Sequence, residues 1–464
     1  MTDVRFTDGR VPDPGVRQLF TLEHRWQRWL DVEAALAAAE ADVGLVPAAA
    51  ATAIGAAAQV GTLDLDRVRS GIAATSHPLM ALITELSDAV GEPHGGWVHW
   101  GATTQNITQT GDVLVLREAH RRFQRLLGEI LAAAGTLAER TADVLAAGRT
   151  HGQHAAPITF GFKVAGWIDQ LARHVQRLDE VAPRVFTAML GGAVGTFASL
   201  GPVGTAIQAG VADRLGLLPM AVPSRSINDA AAEYVCLLAL LAGTGGKIAG
   251  EVYSLMSTEV GEAEEPAPDG TVGSSTMPHK RNPQLADDCV TISARIRALA
   301  PLALEGMLHD HEVDGGHSAM VDEALEHACI LTGDLLTRLR TILGGLRLHE
   351  DRMGSNLRLT GGLISSEAVM LALGEAVGRQ TAHQIVYELA MSAGQDVPFG
   401  EALAADPRVT SHLSADRIAT LLDPRNHVGC SADLARTAAR RAHVLAGRLL
   451  AHRGQDGRGP LDRR

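Results

Sequence analysis

Residues Thr110 to Gly148 read TGDVLVLREAHRRFQRLLGEILAAAGTLAERTADVLAAG, a stretch without proline whose apolar residues return every three or four positions. That is the period of one face of an α-helix. A helix of this length exceeds the ordinary globular element, so its apolar stripe needs long neighbours to cover it. The chain offers them: FKVAGWIDQLARHVQRLDEVAPRV, NDAAAEYVCLLALLAGTGGKIAGEVYSLMSTEV, PQLADDCVTISARIRALAPLALEGML and EALEHACILTGDLLTRLRTILGGL. Five long helices joined by short polar loops predict an elongated bundle. Upstream, LFTLEHRWQRWLDVEAALAAAEADVG places Leu19, Leu22, Trp26, Trp29, Leu30 and Leu36 near one face, with Gly44 and Pro47 as a stop.

Composition agrees with close-packed helices. Aromatic residues make up only 3% and alanine is abundant, so the fold class read from the sequence is all-α. At 464 residues the chain exceeds what one core usually organises. The expected division is an N-terminal helical domain (1–109), a central long-helix bundle (110–352), a small C-terminal helical domain (353–451) and a disordered tail (452–464). Small residues on many helix positions permit close interhelical approach and predict a homo-oligomer.

The formal net charge of −12, with no long basic run, argues against nucleic acid as the main partner. Cys236, Cys289, Cys329 and Cys430 form no CxxC pair and are expected to be buried, reduced thiols. No apolar leader opens the sequence, and the run VCLLALLAGTGGKIAG is interrupted by glycine and lysine before it could span a bilayer. The expectation is a soluble, cytoplasmic protein with no membrane partner.

Three polar islands break this apolar background: HWGATTQNITQTG (99–111), GRTHGQHAAP (148–157) and GTVGSSTMPHKRNP (270–283). Each falls between long helices, where a rigid bundle presents chemistry. Taken singly they also read as helix caps (Thr103, Thr104, Thr110), satisfied histidines (His151, His154) and a flexible linker. Taken together they offer a cation, amides and hydroxyls suited to a carboxylate. Lys280 and Asn282, two apart, point the same way in an extended loop, and Thr103 and Thr104 add donors. Ser274 lies in a glycine-flanked stretch after the acidic, proline-bearing EVGEAEEPAPDG, an arrangement like a lid. His151 is the natural proton carrier near neutral pH.

In this order and spacing the islands resemble the signature regions of the fumarase/aspartase superfamily, and GSSTMPHKRNP is close to its diagnostic loop. The resemblance spans WLDVEAALA to LLDPRNHVG. It implies three helical domains, a homotetramer whose central bundles form the core, and active sites each built from three chains. It also implies anti elimination β to a carboxylate, with fumarate as the usual product. Carried over, Ser274 resembles the catalytic base and His151 the general acid of the adenylosuccinate-lyase branch. Lys280 and Asn282 resemble the carboxylate binders, Thr103 and Thr104 the T[ST] pair, and His77 in TSHPLM a second active-site histidine. Ser275 and Gln153, beside the base and the acid, complete the expected substrate-binding set. The chemistry needs no metal, flavin or nucleotide cofactor, and the expected partner is a small dicarboxylate substrate.

Two branches compete. GGAVGTFASLG and NLRLTGGLISSEAVMLALGEAVGRQTAH look most like 3-carboxy-cis,cis-muconate cycloisomerases, yet those usually carry Trp-Leu where this chain has His151-Gly152, and asparagine where it has His77. Adenylosuccinate lyase carries an Arg-Asp-Arg element where this chain has Asn228, Asp229 and Ala230. Exchanging guanidinium for amide penalises a nucleotide phosphate. Asn106 and Gln109 stand where relatives usually have aspartates, which suggests a changed substrate rim. The first reading is a C–N lyase acting on a small substituted succinate, an N-substituted aspartate or nitrosuccinate. The cycloisomerase, adenylosuccinate lyase and a non-catalytic structural homologue are its alternatives.

Overall fold

The computed structural model describes residues 8–268, 270–393 and 397–451. The expected disordered tail, 452–464, lies outside the described residues. The architecture is all-α. After a short turn of helix at Val16–Leu19, α1 spans Leu22–Asp42 and α2 spans Thr104–Arg140. A hairpin of β1 (Leu145–Thr150) and β2 (Gln153–Thr159) leads into α3 (Phe160–Val185). Then come α4 (Asp229–Leu255), the two-residue β3 (Ala263–Glu264), α5 (Gln284–Glu305) and α6 (Gly315–Gly345). The two-residue β4 (Arg347–Leu348) pairs antiparallel with β3 and precedes α7 (Glu350–Arg358); α8 (Ser431–Ala451) closes the described chain.

The predicted long helices form one bundle around one core. On α2 the buried set Leu116, Ala119, Phe123, Leu126, Leu127, Ile130, Leu131, Ala134 and Leu137 follows the helical period read from the sequence. Burying each leucine, isoleucine or phenylalanine contributes about 1.5–3 kcal/mol, which outweighs the modest propensity of such a helix in isolation. Helix α4 packs on α3, α5 and α6, while α8 lies across α2 and α3.

Several boundaries differ from expectation for identifiable reasons. The Thr110–Gly148 segment helixes earlier and stops at Arg140, because Leu145 onward is taken into the hairpin. The tryptophan-rich N-terminal helix is broken at Phe20–Thr21. Gly243, Gly245, Gly246 and Lys247 interrupt the apolar run but not the helix, which continues unbroken to Leu255. A Cβ on Gly246 would stand 2.4 Å from Ser293 Oγ of α5, so the missing side chain is what lets α4 and α5 approach. By length and composition α4 could cross a membrane, and 44% of its most apolar window is buried inside the bundle. Of the cysteines, Cys289 and Cys329 are buried as expected; Cys236 is half-buried and Cys430 is exposed, against expectation.

A second, smaller core gathers Val369, Leu373, Ile385, Leu389, Phe399, Leu403, Val409 and Ile418 from short helices. Ala439, Ala442 and Ala446 of α8 belong instead to the main core. We propose that the C-terminal unit expected over 353–451 ends before α8, whose small side chains dock it against the bundle.

Candidate active site

The first island caps α2. Thr103 is the N-cap residue, and its N–H donates to Asn106 Oδ1 at 3.1 Å, a side chain reaching back from the first turn. Asn106 is fully buried; its Oδ1 also accepts from Gly192 N–H at 3.1 Å, and its Nδ2 donates to Met189 Sδ at 3.2 Å. The expected role of Asn106 in a substrate rim is thereby corrected. It is an internal staple holding the 189–192 loop to the start of α2. Thr110 Oγ1 strengthens the same junction through Met189 O (3.1 Å) and Met189 N (3.2 Å). Gln109 accepts from Gln105 at 3.1 Å, and Gln105 accepts from Arg225 Nε at 2.5 Å.

Replacing Asn106 by aspartate keeps the acceptor and removes the donor to Met189. The buried carboxylate then faces a thioether, and we expect a loss of about 1–3 kcal/mol or more of stability. Thermal unfolding of Asn106→Asp beside the wild type measures it; an unchanged midpoint contradicts the staple.

Thr104 opens α2 and meets His77 across 3.3 Å, Oγ1 to Nε2. His77 Nδ1 accepts from the N–H groups of Leu79 (3.3 Å) and Met80 (3.1 Å) at the start of the helix Met80–Val90. That capping role fixes Nε2 as the protonated nitrogen of the neutral ring, so it is Nε2–H that points at Thr104. The structure therefore joins His77 to Thr104.

His99, in the same island but without an expected role, is the next polar group of this segment. Its Nδ1 lies 2.7 Å from Oε1 of the buried Glu33, and its φ is +62°. Burial alone would lower the His99 pKa, but the hydrogen bond and charge of Glu33 raise it. Trp97 and Trp100, on either side of it in the chain, face each other with centroids 5.0 Å apart and rings tilted by 41°. A lone histidine in sequence gives no sign of a buried glutamate far upstream, so only packing reveals the pair.

The second island is not a loop but the tip of the β1–β2 hairpin. His151 and Gly152 form its two-residue turn with φ of +53° and +76°, between the paired residues Thr150 and Gln153. Two positive φ values are what a tight hairpin turn requires, and glycine supplies the second without steric cost. His151 and Gln153 are exposed at this tip. His154, half-buried opposite Arg149, has its pKa lowered by burial and by that guanidinium.

In the third island Ser274 Oγ accepts from the backbone N–H of Thr276 (3.3 Å) and Met277 (3.0 Å). The chain then turns just before Lys280, whose N–H donates to Met277 O at 3.0 Å. Asn282 Nδ2 donates to Gly273 O at 2.7 Å, which cinches the loop into a small ring. A Cβ on Gly273 would lie 2.0 Å from Lys280 O; only glycine allows this closure. Ser275 and Lys280 are exposed on the ring, and Ser274 is half-buried.

Among the described residues no hydrogen bond or ion pair joins any two of the three islands. His151 sits on the hairpin tip, Ser274 on the cinched loop and Thr104 at the start of α2.

The profile of a family described as lyase matches residues 8–298, and one described as adenylosuccinate lyase C-terminus matches residues 362–438. The chain belongs to the fumarase/aspartase superfamily of lyases and is an enzyme of that group. It is 39% identical to N-acetyl-S-(2-succino)cysteine lyase of Dickeya dadantii, over 90% of this chain and 92% of that one. Among solved structures it resembles a fumarate lyase from Mesorhizobium sp. BNC1 (TM-score 0.87, 35% identity, 92% of this chain and 98% of that one). It also resembles the 3-carboxy-cis,cis-muconate lactonizing enzyme of Pseudomonas putida (TM-score 0.86, 34% identity, 96% of this chain and all of the other).

Proposed function

We propose that the protein eliminates a substituent from a small 2-substituted succinate and releases fumarate. The observation that carries the reading is Ser274 Oγ held by two backbone N–H groups within the diagnostic loop. A serine is a poor base in water, and it becomes a useful one where fixed donors stabilise its alkoxide and solvent is excluded. Ser274 takes a proton from C3, leaving an aci-carboxylate dianion whose charge Lys280 and loop N–H groups offset. The C2–X bond then breaks, its electron pair departs with X, and His151 returns a proton to X. Asn282, Ser275, Thr103, Thr104, His77 and Gln153 hold the two carboxylates, Asn282 while cinching the ring.

The reading includes a homotetramer with composite sites, working in the cytoplasm, as the family resemblance implies. The leaving group favoured by the Dickeya relative is a thiol, carried as an S-(2-succino) thioether. The sequence reading of a nitrogen leaving group, an N-substituted aspartate or nitrosuccinate, is the second. Against a purine nucleotide stands Asn228, whose Nδ2 lies 2.7 Å from His309 Nε2 where a guanidinium would be wanted for phosphate.

A panel of S-(2-succino)cysteine, its N-acetyl form, N-substituted aspartates, nitrosuccinate, adenylosuccinate and carboxymuconate tests the reading. Fumarate is followed by its ultraviolet absorption and lactone by NMR. Fumarate from a succinyl thioether or amine is expected. Turnover of carboxymuconate alone would replace elimination by cycloisomerisation.

A further inference from the structure

The loop that carries Ser274 leaves the core at Glu265 and re-enters it at α5, and one side chain ties both ends. Glu265, only 5% exposed, accepts from the backbone N–H of Leu285 at 2.8 Å and of Ala286 at 2.9 Å. These N–H groups belong to the first turn of α5, where no intrahelical carbonyl is available to them and the helix dipole favours a negative charge.

Three residues earlier Glu262, 1% exposed, receives Nη1 and Nη2 of Arg149 at 3.0 and 2.5 Å. Asn356 of α7 donates to the same carboxylate at 2.7 Å and to Val260 O at 2.8 Å. Arg149 stands two residues before His151 on β1. Between the two glutamates runs β3, paired with β4 through Ala263 and Leu348. The stem of the loop is thus held to the hairpin, to α5 and to α7 by two buried carboxylates.

Buried ion pairs are a poor way to gain stability, because well-packed apolar side chains of similar size commonly do as well or better. What they supply is direction. A guanidinium fork fixes the angle of the hairpin on the stem, and a carboxylate bridging two N–H groups fixes the separation of the loop ends.

We infer that Glu262 and Glu265 are positioning residues for the elimination: Glu265 fixes the separation of the ends of the Ser274 loop, and Glu262 fixes the His151 hairpin against that loop's stem. The inference rests on the roles proposed for Ser274 and His151, and its test has an arm that does not.

Hydrogen exchange by mass spectrometry over peptides containing 270–290 is compared in the full-length wild type and Glu265→Gln. Glutamine retains one acceptor but turns an amide N–H₂ towards the second N–H. Exchange of Leu285, Ala286 and the loop is expected to rise by about tenfold or more in the variant. In kinetics, kcat is expected to fall roughly ten- to a hundredfold while KM changes little, the mark of misplacement of groups used in the transition state. If Glu265→Gln does not fold, Glu265→Asp, which keeps the charge on a shorter arm, is expected to show a partial form of both effects. For the hairpin, Arg149→Met, Glu262→Gln and the double variant should lose similar kcat, since each breaks the same link.

Unchanged loop exchange in Glu265→Gln overturns the clasp, and additive kcat losses for Arg149→Met and Glu262→Gln overturn the hairpin link. A wild type inactive on every succinate would defeat the proposed function, while the exchange data still decide the clasp.

Discussion

Ser274→Ala is expected to abolish turnover, by a hundredfold or more, with the fold and the oligomer intact. The asymmetry follows from the loop's construction. Ser274 Oγ accepts two N–H groups of a solvent-facing ring, so water replaces it there and little stability is lost. The ring itself is closed by Asn282 on Gly273 and survives the substitution. In the reaction nothing replaces the hydroxyl, because the two N–H groups can stabilise an alkoxide but cannot accept a proton. Fumarate release under saturating substrate, with a thermal melt and size-exclusion elution on the same preparation, checks both halves. Activity within a few-fold of wild type would remove Ser274 from the mechanism.

His151→Asn is expected to separate leaving groups. Asparagine tolerates the left-handed backbone of the hairpin tip, so the turn is kept while the proton donor is lost. An amine leaves only when protonated, and turnover of an N-substituted aspartate should fall by about 10²–10⁴-fold, the usual worth of a positioned acid. Without that proton the nitrogen would have to depart as a strongly basic amide anion, whereas a thiol, with an ordinary pKa of about 8.5, departs as thiolate with little help, so a succinyl thioether should lose much less. Parallel rate measurements on one amine and one thioether of matched succinyl geometry provide the ratio. Equal losses on both substrates would mean that His151 acts in binding, and no loss on either would take it out of the site.

How much of this was legible in the sequence depended on the range of the interaction. The long helices were visible because periodicity is local: Leu116, Phe123, Leu127 and Ile130 announce one face from spacing alone. The Ser274 loop was visible because its glycines, serines and lysine are contiguous. The hairpin was not, since its strands are short and half-buried and its turn is His-Gly rather than a familiar asparagine-glycine pair. Asn106 was misplaced for a related reason. Its partners, Gly192 and Met189, lie more than eighty residues away, and polar residues near a signature look like rim until packing shows them inside. The pairing of Arg149 with Glu262 and the clasp of Glu265 on α5 were equally silent, because a glutamate run before a loop reads as solvated charge.

The left-handed turn at His151 and Gly152 also bears on how such enzymes diverge. With the tryptophan-leucine pair expected of the cycloisomerases, leucine at a φ near +76° would be strained by its Cβ against the backbone. On this backbone a pair of side-chain exchanges would therefore not be enough to convert one tip into the other. A lineage passing between the two would be expected to rebuild the hairpin tip along the way, since the new side chains on the old backbone would carry the strain. Laboratory selection for the exchange would be expected to recover insertions, deletions or turn-length changes at 150–153 before it recovers point substitutions, and libraries confined to single codons would leave that route unexplored.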